Sequence, residues 1–199
     1  MKIDFIKIHG TWREIADAAR TTVNMDKGTG EPSSRWKRRL LMAEHSPIRK
    51  LKVSWLWEKI KYWVSVHFVR HKVGIEHFVS TQRSDRTGVN RDERPQGALV
   101  NHEVEANAHA IINISRKRRC RQASKETRDA WNAFLKKLEL YEPELVSVCV
   151  AECVYRNGFC PEMKSCGWNH TKEFEEELQR YLEGMEGQIN KNTNIFKKN

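Results

Sequence analysis

A change of hydrophobic period between residues 51 and 68 limits the possible folds more than any other part of the sequence. Leu51, Val53 and Trp55 alternate with polar residues, which is typical of a half-buried strand. From Trp57 onward the apolar residues recur at helical spacing and lead directly into a basic triplet, Arg70-His71-Lys72. This segment predicts a fold that combines strands with helices and places a cationic group near the end of a helix.

Other segments carry signals of the same two kinds. The sequence Thr11-Trp12-Arg13-Glu14 has the form of a capping box and predicts a helix that runs to about Val23. Apolar periodicity predicts further helices before Pro47, over residues 104–112 and over residues 131–138, and a short strand at 77–80. The chain is therefore expected to have an α+β fold.

Length and composition limit the classes of protein that need consideration. A chain of 199 residues fits one domain, expected over residues 1–185, followed by a polar and mobile tail at 186–199. Neither a long apolar run nor a signal-peptide core is present, which predicts a cytoplasmic protein without a membrane span. An excess of 36 basic over 26 acidic residues favours polyanionic partners, either nucleic acid or phosphorylated small molecules.

The segment FVRHKVGIEHFVSTQRSDR, residues 68–86, is rich in groups that bind anions. Arginine presents a planar fork to phosphate, lysine adds a point charge, and the hydroxyls of Ser80 and Thr81 can bind the same oxygens. A second basic run, residues 116–121, follows another apolar helix. Each run alone is as easily explained as a solvated surface, but together they could converge on one anion-binding site.

Five segments in order resemble the flavin-dependent thymidylate synthases, and the resemblance is to a divergent, phage-type member. The family signature is Arg-His-Arg, seven residues, then Ser, and this chain has Arg70-His71-Lys72, seven residues, then Ser80. Four other segments match in the same order: AARTTVN at 18–24, EHSPI at 44–48, RRCRQASKETR at 118–128 and the Cys-rich CVYRNGFCPEMKSCG at 153–167.

This resemblance implies a complete enzymatic function. The expected fold has a central antiparallel sheet with long helices, assembled as a homotetramer with active sites at the subunit interfaces. FAD is the implied cofactor, methylenetetrahydrofolate supplies a one-carbon unit, NADPH reduces the flavin, and C5 of dUMP is methylated to give dTMP. The flavin carries the reacting groups, so no side chain is implied as a nucleophile.

The resemblance also implies roles for individual residues. Arg70, His71 and Lys72 would contact the flavin and its phosphates, Arg118 and Gln122 would approach the flavin ring, and His45 would face the folate. The residues implied to bind the nucleotide are His67, Ser80, Gln82, Arg83 and Arg128.

Departures from the family pattern leave the acceptor open. Lys72 replaces an arginine, so that a bidentate contact becomes a point charge. Phe78 and Val79 stand where polar residues are common, and the ending Ser80-Thr81-Gln82-Arg83 differs from the usual one. Another pyrimidine nucleotide such as dCMP, or transfer of a hydroxymethyl group, is therefore an alternative.

The late cysteines suggest a second class of function. Cys153, Cys160, Cys166 and His170 have ligand types that zinc prefers, but they lack the short Cys-x-x-Cys knuckle, so packing thiols are the simpler interpretation and no metal is expected. A zinc-containing, basic nucleic-acid-binding module remains the alternative to an enzyme, although nucleic acid is not the expected partner. Ser80 as a nucleophile lacks a recognisable acid partner and is disfavoured.

Overall fold

The computed structural model describes residues 1–183 and contains one four-stranded antiparallel sheet. The tail predicted at 186–199 and the end of the domain predicted at 1–185 lie outside the described residues. The strands are β1 (Lys2–His9), β2 (Lys52–Lys61), β3 (Ile75–Val79) and β4 (Leu99–Asn107), in the order β1-β2-β4-β3. This sheet confirms the expected α+β class with its antiparallel sheet.

Helices follow or precede each strand. They are α1 (Trp12–Thr22), α2 (Ser34–Met42), α3 (Tyr62–Phe68), α4 (Ser84–Thr87), α5 (Ala108–Arg118), α6 (Lys125–Leu138), α7 (Pro143–Ser147), α8 (Glu152–Tyr155) and α9 (Lys172–Leu182). The predicted capping box is present at the start of α1, where Thr11 and Glu14 exchange hydrogen bonds. Over residues 1–183 the structure has no helix with the length and apolar character that a membrane crossing requires.

Aromatic side chains fix α3 and α6 on the sheet. Trp55 of β2 stacks on Phe134 of α6 with ring centroids 3.9 Å apart, and Trp57 stacks on Phe68 of α3 at 4.5 Å. All four rings are fully or almost fully buried, so their packing combines the hydrophobic term with favourable ring geometry. The end of α3, and with it the basic triplet, is thereby held at a defined place on the sheet.

The helix predicted from Trp57 onward begins five residues later than expected. Trp57 and Ile60 both belong to β2, where they pair with His102 and Val100 of β4. Between these two pairs β2 advances by three residues and β4 by only two, which defines a β-bulge. Lys59 lies in this bulge and has a positive φ of 54°. The bulge changes the apolar spacing from two to three residues, which imitates the period of a helix.

The helix predicted over 104–112 also begins later, because Val104 lies in β4. Alternate residues of this strand are buried, namely Val100, His102, Val104 and Ala106. Because the inward position at 102 is a histidine, the apolar residues alone do not show the period of two. The helix starts only at Ala108, after Asn107, whose side chain accepts the backbone N–H of Ala110.

Gly74 shapes the turn that follows the basic triplet. Its φ is +71°, and a Cβ at this position would lie 2.5 Å from Nδ2 of Asn107. The backbone N–H of Asn107 donates to the carbonyl of Gly74 at 2.9 Å. Since only glycine fits this close approach without strain, Gly74 couples the turn between α3 and β3 to the start of α5.

Candidate functional site

The end of α5 meets the turn after α3, and so the two basic runs of the sequence converge. Arg118, the last residue of α5, donates from Nε to Nε2 of His71 at 2.9 Å. The same guanidinium donates from Nη2 to the backbone carbonyl of His67 at 2.5 Å. Arg118 therefore holds both the last turn of α3 and the histidine of the basic triplet.

Positive charge at this point is not compensated by nearby carboxylates. Burial lowers the pKa of Arg118, and the positive charge of Arg70 lowers it further. Within residues 1–183, neither of these arginines nor Lys72 forms an ion pair. We refer to Arg70, Lys72 and Arg118 as the cation cluster. Arg118 is half-buried, whereas Arg70 and Lys72 are exposed, and a group of charges of one sign is suited to bind an anion.

His71 is neutral within this cluster. Burial lowers its pKa to about 4, with further contributions from Arg118, His77 and Arg70. Nε2 accepts a hydrogen bond from Arg118, so a neutral ring must carry its proton on Nδ1. The arrangement gives His71 one N–H group that can donate to an acceptor beside the cations.

His67 connects α3 to α6. Its Nδ1 lies 2.9 Å from Oγ1 of Thr127, and that hydroxyl lies 2.7 Å from Oγ of Ser124. Burial lowers the pKa of His67, and Arg118 and Arg70 lower it further. Thr127 is fully buried, so this chain of polar groups fixes His67 beside the cation cluster.

Other predicted site residues bind to groups of the chain itself. The hydroxyl of Ser80 accepts the backbone N–H of Asn101 at 3.0 Å and extends the pairing of β3 with β4. Arg83 donates from Nε to Oδ1 of Asp85 at 2.9 Å and from Nη2 to Oδ2 at 2.8 Å, in an exposed ion pair. Gln82 differs from both, since its buried Nε2 has no hydrogen-bond partner among residues 1–183.

Arg128 and Gln122 stabilise the chain that follows α5. Arg128 donates from Nη1 to the carbonyls of Arg121 and Ala123, at 2.7 and 3.2 Å. Gln122 donates from Nε2 to the carbonyl of Lys164 at 2.6 Å. These contacts order the segment between α5 and α6, which begins directly after Arg118.

His45 lies in a different groove of this protomer. This groove has a volume of about 900 Å³, and its walls include Trp36 and Arg39 of α2, Tyr155 of α8 and Tyr181 of α9. None of the cation cluster lines it among the described residues. A single protomer thus does not bring the predicted folate-side histidine together with the predicted flavin-side residues.

The five cysteines are all free. Burial raises the pKa of both Cys149 and Cys153 to about 11, which disfavours the thiolate form that binds metals. No three His, Cys, Asp or Glu side chains within residues 1–183 are grouped so that they could hold a metal ion. The zinc candidates Cys153, Cys160, Cys166 and His170 are therefore not grouped as a set of metal ligands in the described part of the chain.

Two histidines outside the predicted set of site residues, of which only His77 was considered as a partner for a disfavoured Ser80 nucleophile, lie behind the basic triplet. His77 of β3 contacts the backbone carbonyl of His71 through Nε2 at 2.9 Å, and its Nδ1 lies 2.9 Å from Nε2 of His102 on β4. The signal that could have revealed them is a polar residue at an inward position of a strand. The strand with His77 was predicted at 77–80, but β4, which carries His102, was not predicted as a strand.

Comparisons with known proteins agree on the fold. No protein-family model and no curated protein matches the sequence. Among solved structures, the chain is similar to the flavin-dependent thymidylate synthase ThyX from Helicobacter pylori complexed with FAD and dUMP. The TM-score is 0.61 at 11% sequence identity, over 75% of this chain and 100% of that one.

A second similar structure is the UMP/dUMP methylase PolB from Streptomyces cacaoi bound with 5-Br dUMP. Its TM-score is 0.58 at 12% identity, over 75% of this chain and 97% of that chain. Another structure of the Helicobacter pylori enzyme with FAD and dUMP matches with a TM-score of 0.56 at 12% identity, over 73% and 99% of the two chains. The chain therefore has the fold of the flavin-dependent thymidylate synthases.

Proposed function

We propose that this protein is an FAD-dependent enzyme that transfers a one-carbon unit from methylenetetrahydrofolate to C5 of a pyrimidine deoxynucleotide. The preferred reaction is the conversion of dUMP to dTMP, with NADPH as the reductant of the flavin. The observation that carries the proposal is the convergence of Arg70, His71 and Arg118 on this fold, with cations that have no carboxylate partner among the described residues.

The chemistry of the cation cluster fits the phosphates of FAD. Arginine forks at Arg70 and Arg118 match the geometry of phosphate oxygens, and Lys72 adds a mobile point charge. The neutral His71 supplies a single N–H donor beside them, as an acceptor on a flavin would require. Gln122, in the segment after α5, would contribute from the side of the flavin ring.

The nucleotide would be bound by a second set of groups near the triplet. His67 is fixed by Thr127 and presents its Nε2 edge, whereas Gln82 has a buried amide group with no partner among residues 1–183. Ser80, Arg83 and Arg128 would join them by exchanging their present contacts for contacts with the nucleotide. The exposed pair of Arg83 with Asp85 costs little to break, because such pairs contribute little to stability.

The protein contributes binding, orientation and electrostatics to this reaction. Reduced flavin, when bound, supplies both the hydride and the carrier for the methylene group. Arg70 and Arg118 would stabilise negative charge, and His71 would hold a proton on Nδ1 throughout, since its lowered pKa keeps the ring from becoming a cation near pH 7. No side chain has to act as a nucleophile.

A homotetramer is proposed as the working form because the resemblance implies one, and a single protomer offers a reason for a site that is shared between subunits. The groove that contains His45 does not include the cation cluster, so a folate bound near His45 would need the flavin site of another subunit. Arg70, Lys72 and Ser80 are exposed on the protomer and are accessible to such a shared site.

A different acceptor nucleotide is the second candidate. Lys72 replaces an arginine of the family signature, and Phe78, in a position where polar residues are common, is 61% exposed. An exposed phenylalanine beside the proposed nucleotide site would alter the selection of the pyrimidine. The similar enzyme PolB is described as a UMP/dUMP methylase, so this fold also occurs with a broader choice of nucleotide.

One experiment tests the proposal and separates the two candidates. Purified protein is loaded with FAD, then incubated with NADPH, methylenetetrahydrofolate and each pyrimidine monophosphate in turn, and the products are identified by mass spectrometry. We expect a methylated product from dUMP. A product from another nucleotide, or one that carries a hydroxymethyl group, would favour the second candidate, and a colourless protein without any product would refute the proposed function.

A further inference from the structure

We infer that His77 and His102 are positioning residues, which fix the backbone of the Arg70-His71-Lys72 turn from behind. The inference rests on the proposed function in so far as this turn is the flavin site. It assigns a role to two histidines that lie outside the family signature and that the proposed reaction does not otherwise use.

The hydrogen bonds of His102 and His77 run in one direction. A backbone carbonyl can only accept, so Nε2 of His77 must carry a proton and donate it to the carbonyl of His71 at 2.9 Å. The other nitrogen of a neutral His77 is then a bare acceptor. His102, whose Nε2 lies 2.9 Å from that nitrogen, must be the donor. Three residues are thereby joined in one direction, from His102 through His77 to the carbonyl of His71.

His102 lies in an apolar environment. It is fully buried, and its ring packs 5.4 Å from that of Trp57 and 6.5 Å from that of Phe68. Burial, followed by the effect of His77, lowers the pKa of His102 to about 3, so the ring is neutral. Nδ1 has no hydrogen-bond partner among residues 1–183. The single polar contact described for this buried ring is the one to His77.

An apolar residue at position 102 would serve the core as well as histidine does. The neighbours of His102 on the inward face of β4 are Val100, Val104 and Ala106, and an apolar side chain would pack among them without an unpartnered nitrogen. The histidine is explained by the donor that it provides to His77. A residue needed only for packing would not have to be a histidine.

The consequence is that His71 is fixed from two sides. Arg118 holds its ring through Nε2, and His77 holds its backbone carbonyl, with His102 fixing the orientation of His77. Both restraints act on His71, whose Nδ1–H has no hydrogen-bond partner within residues 1–183 and could therefore meet a ligand. Loss of either histidine should loosen the turn and weaken flavin binding without removing any group that touches the flavin.

The test uses the full-length protein and two matched pairs of variants. His102→Phe keeps a ring against Trp57 but removes the donor, whereas His102→Gln restores an N–H near the position of Nε2. His77→Leu removes the donor to His71, whereas His77→Gln retains one. His170→Gln, at an exposed histidine outside the cluster, is the control. The readouts are the Kd for FAD and the hydrogen-exchange rate of the His71 amide, measured by NMR without flavin.

We expect the Kd for FAD to rise about five- to tenfold in His102→Phe and His77→Leu, as for the loss of one hydrogen bond, with recovery in both glutamine variants. The amide of His71 should exchange faster in the same two variants. Unchanged exchange in both would overturn the positioning role, whether or not flavin binds. A wild-type protein that binds no FAD would refute the proposed function instead, and the exchange rates would still decide the role of the histidines.

Discussion

Arg118 donates a hydrogen bond from Nε to Nε2 of His71 across 2.9 Å, although the two residues are 47 positions apart in the sequence. This contact unites two basic segments, each of which could have been a solvated surface by itself. It also determines the chemistry of His71, because a ring that accepts at Nε2 and remains neutral must present Nδ1–H. The candidate flavin site is therefore a product of the fold and not of the signature segment alone.

Replacement of Arg118 should change the protonation of His71. We expect Arg118→Ala to raise the pKa of His71 from about 4 towards its ordinary value near 6.5, since a neighbouring positive charge is removed and water gains access. The pKa is measured by NMR titration of the ring. Arg118→Lys, which keeps the charge but loses the fork, should give a smaller rise, and equal values in wild type and Arg118→Ala would contradict the assignment.

Arg70 should be required for flavin retention. Arg70→Ala removes one fork of the cation cluster, and we expect purified protein to lose its bound FAD, while Arg70→Lys retains a weakened affinity because a point charge replaces a bidentate contact. Flavin absorbance per protein chain measures both. Lys136→Ala, at an exposed lysine of α6, controls for the loss of one positive charge and should remain loaded. The same FAD content in Arg70→Ala and wild type would exclude Arg70 from the site.

The fold was predictable wherever local signals agreed with the tertiary structure. The capping box at Thr11 and the apolar face of α6 gave elements that the structure confirms. Trp57 and Val104 were both wrongly assigned to helices for the same reason. Hydrophobic periodicity reports the spacing of apolar side chains but contains no information on strand pairing. A bulge at Lys59 and a buried His102 each altered the spacing, and only the partner strand reveals that these residues remain in the sheet.

The site was predictable as a set of residue types but not as an arrangement. The resemblance selected Arg70, His71, Arg118 and His67, which the structure brings together. Ser80 and Arg128 instead make contacts within the chain, and sequence cannot show which donors are already in use. His102 could not be selected from the sequence, because β4 was not predicted as a strand and the role of this histidine depends on a neighbour on another strand.

The stability of the protein should fall as the pH decreases below the ordinary pKa of histidine. The pKa of His102 in the folded state is lowered to about 3, chiefly by burial. Between about pH 6.5 and this value, the unfolded chain binds a proton that the folded chain does not, so acid favours unfolding and the penalty is absent above the window. One such group contributes at most about 1.4 kcal/mol per pH unit to the free energy of unfolding.

Urea unfolding at a series of pH values measures this effect. In His102→Phe the decrease in the free energy of unfolding between pH 6.5 and 4 should be shallower than in wild type, because this proton uptake is removed. His170→Gln, which changes an exposed histidine, should leave the slope as it is. If the slope in His102→Phe is as steep as in wild type, His102 must bind its proton equally well in the folded and the unfolded chain, and the lowered pKa would be contradicted.

Gly74 offers a test of how firmly the turn is coupled to α5. In Gly74→Ala the new Cβ would meet Asn107 at 2.5 Å and the residue would keep a φ of +71°, so two separate costs arise. Gly88→Ala has a comparable φ of +69° with nothing within 4 Å, and Gly97→Ala has neither constraint. We expect Gly97→Ala to be near neutral, Gly88→Ala to lose about 1 kcal/mol, and Gly74→Ala to lose about 2–3 kcal/mol in urea unfolding, because displacing Asn107 also weakens the cap of α5. Equal losses in Gly74→Ala and Gly88→Ala would mean that Asn107 yields without cost, and that the turn carrying His71 is not fixed through the start of α5.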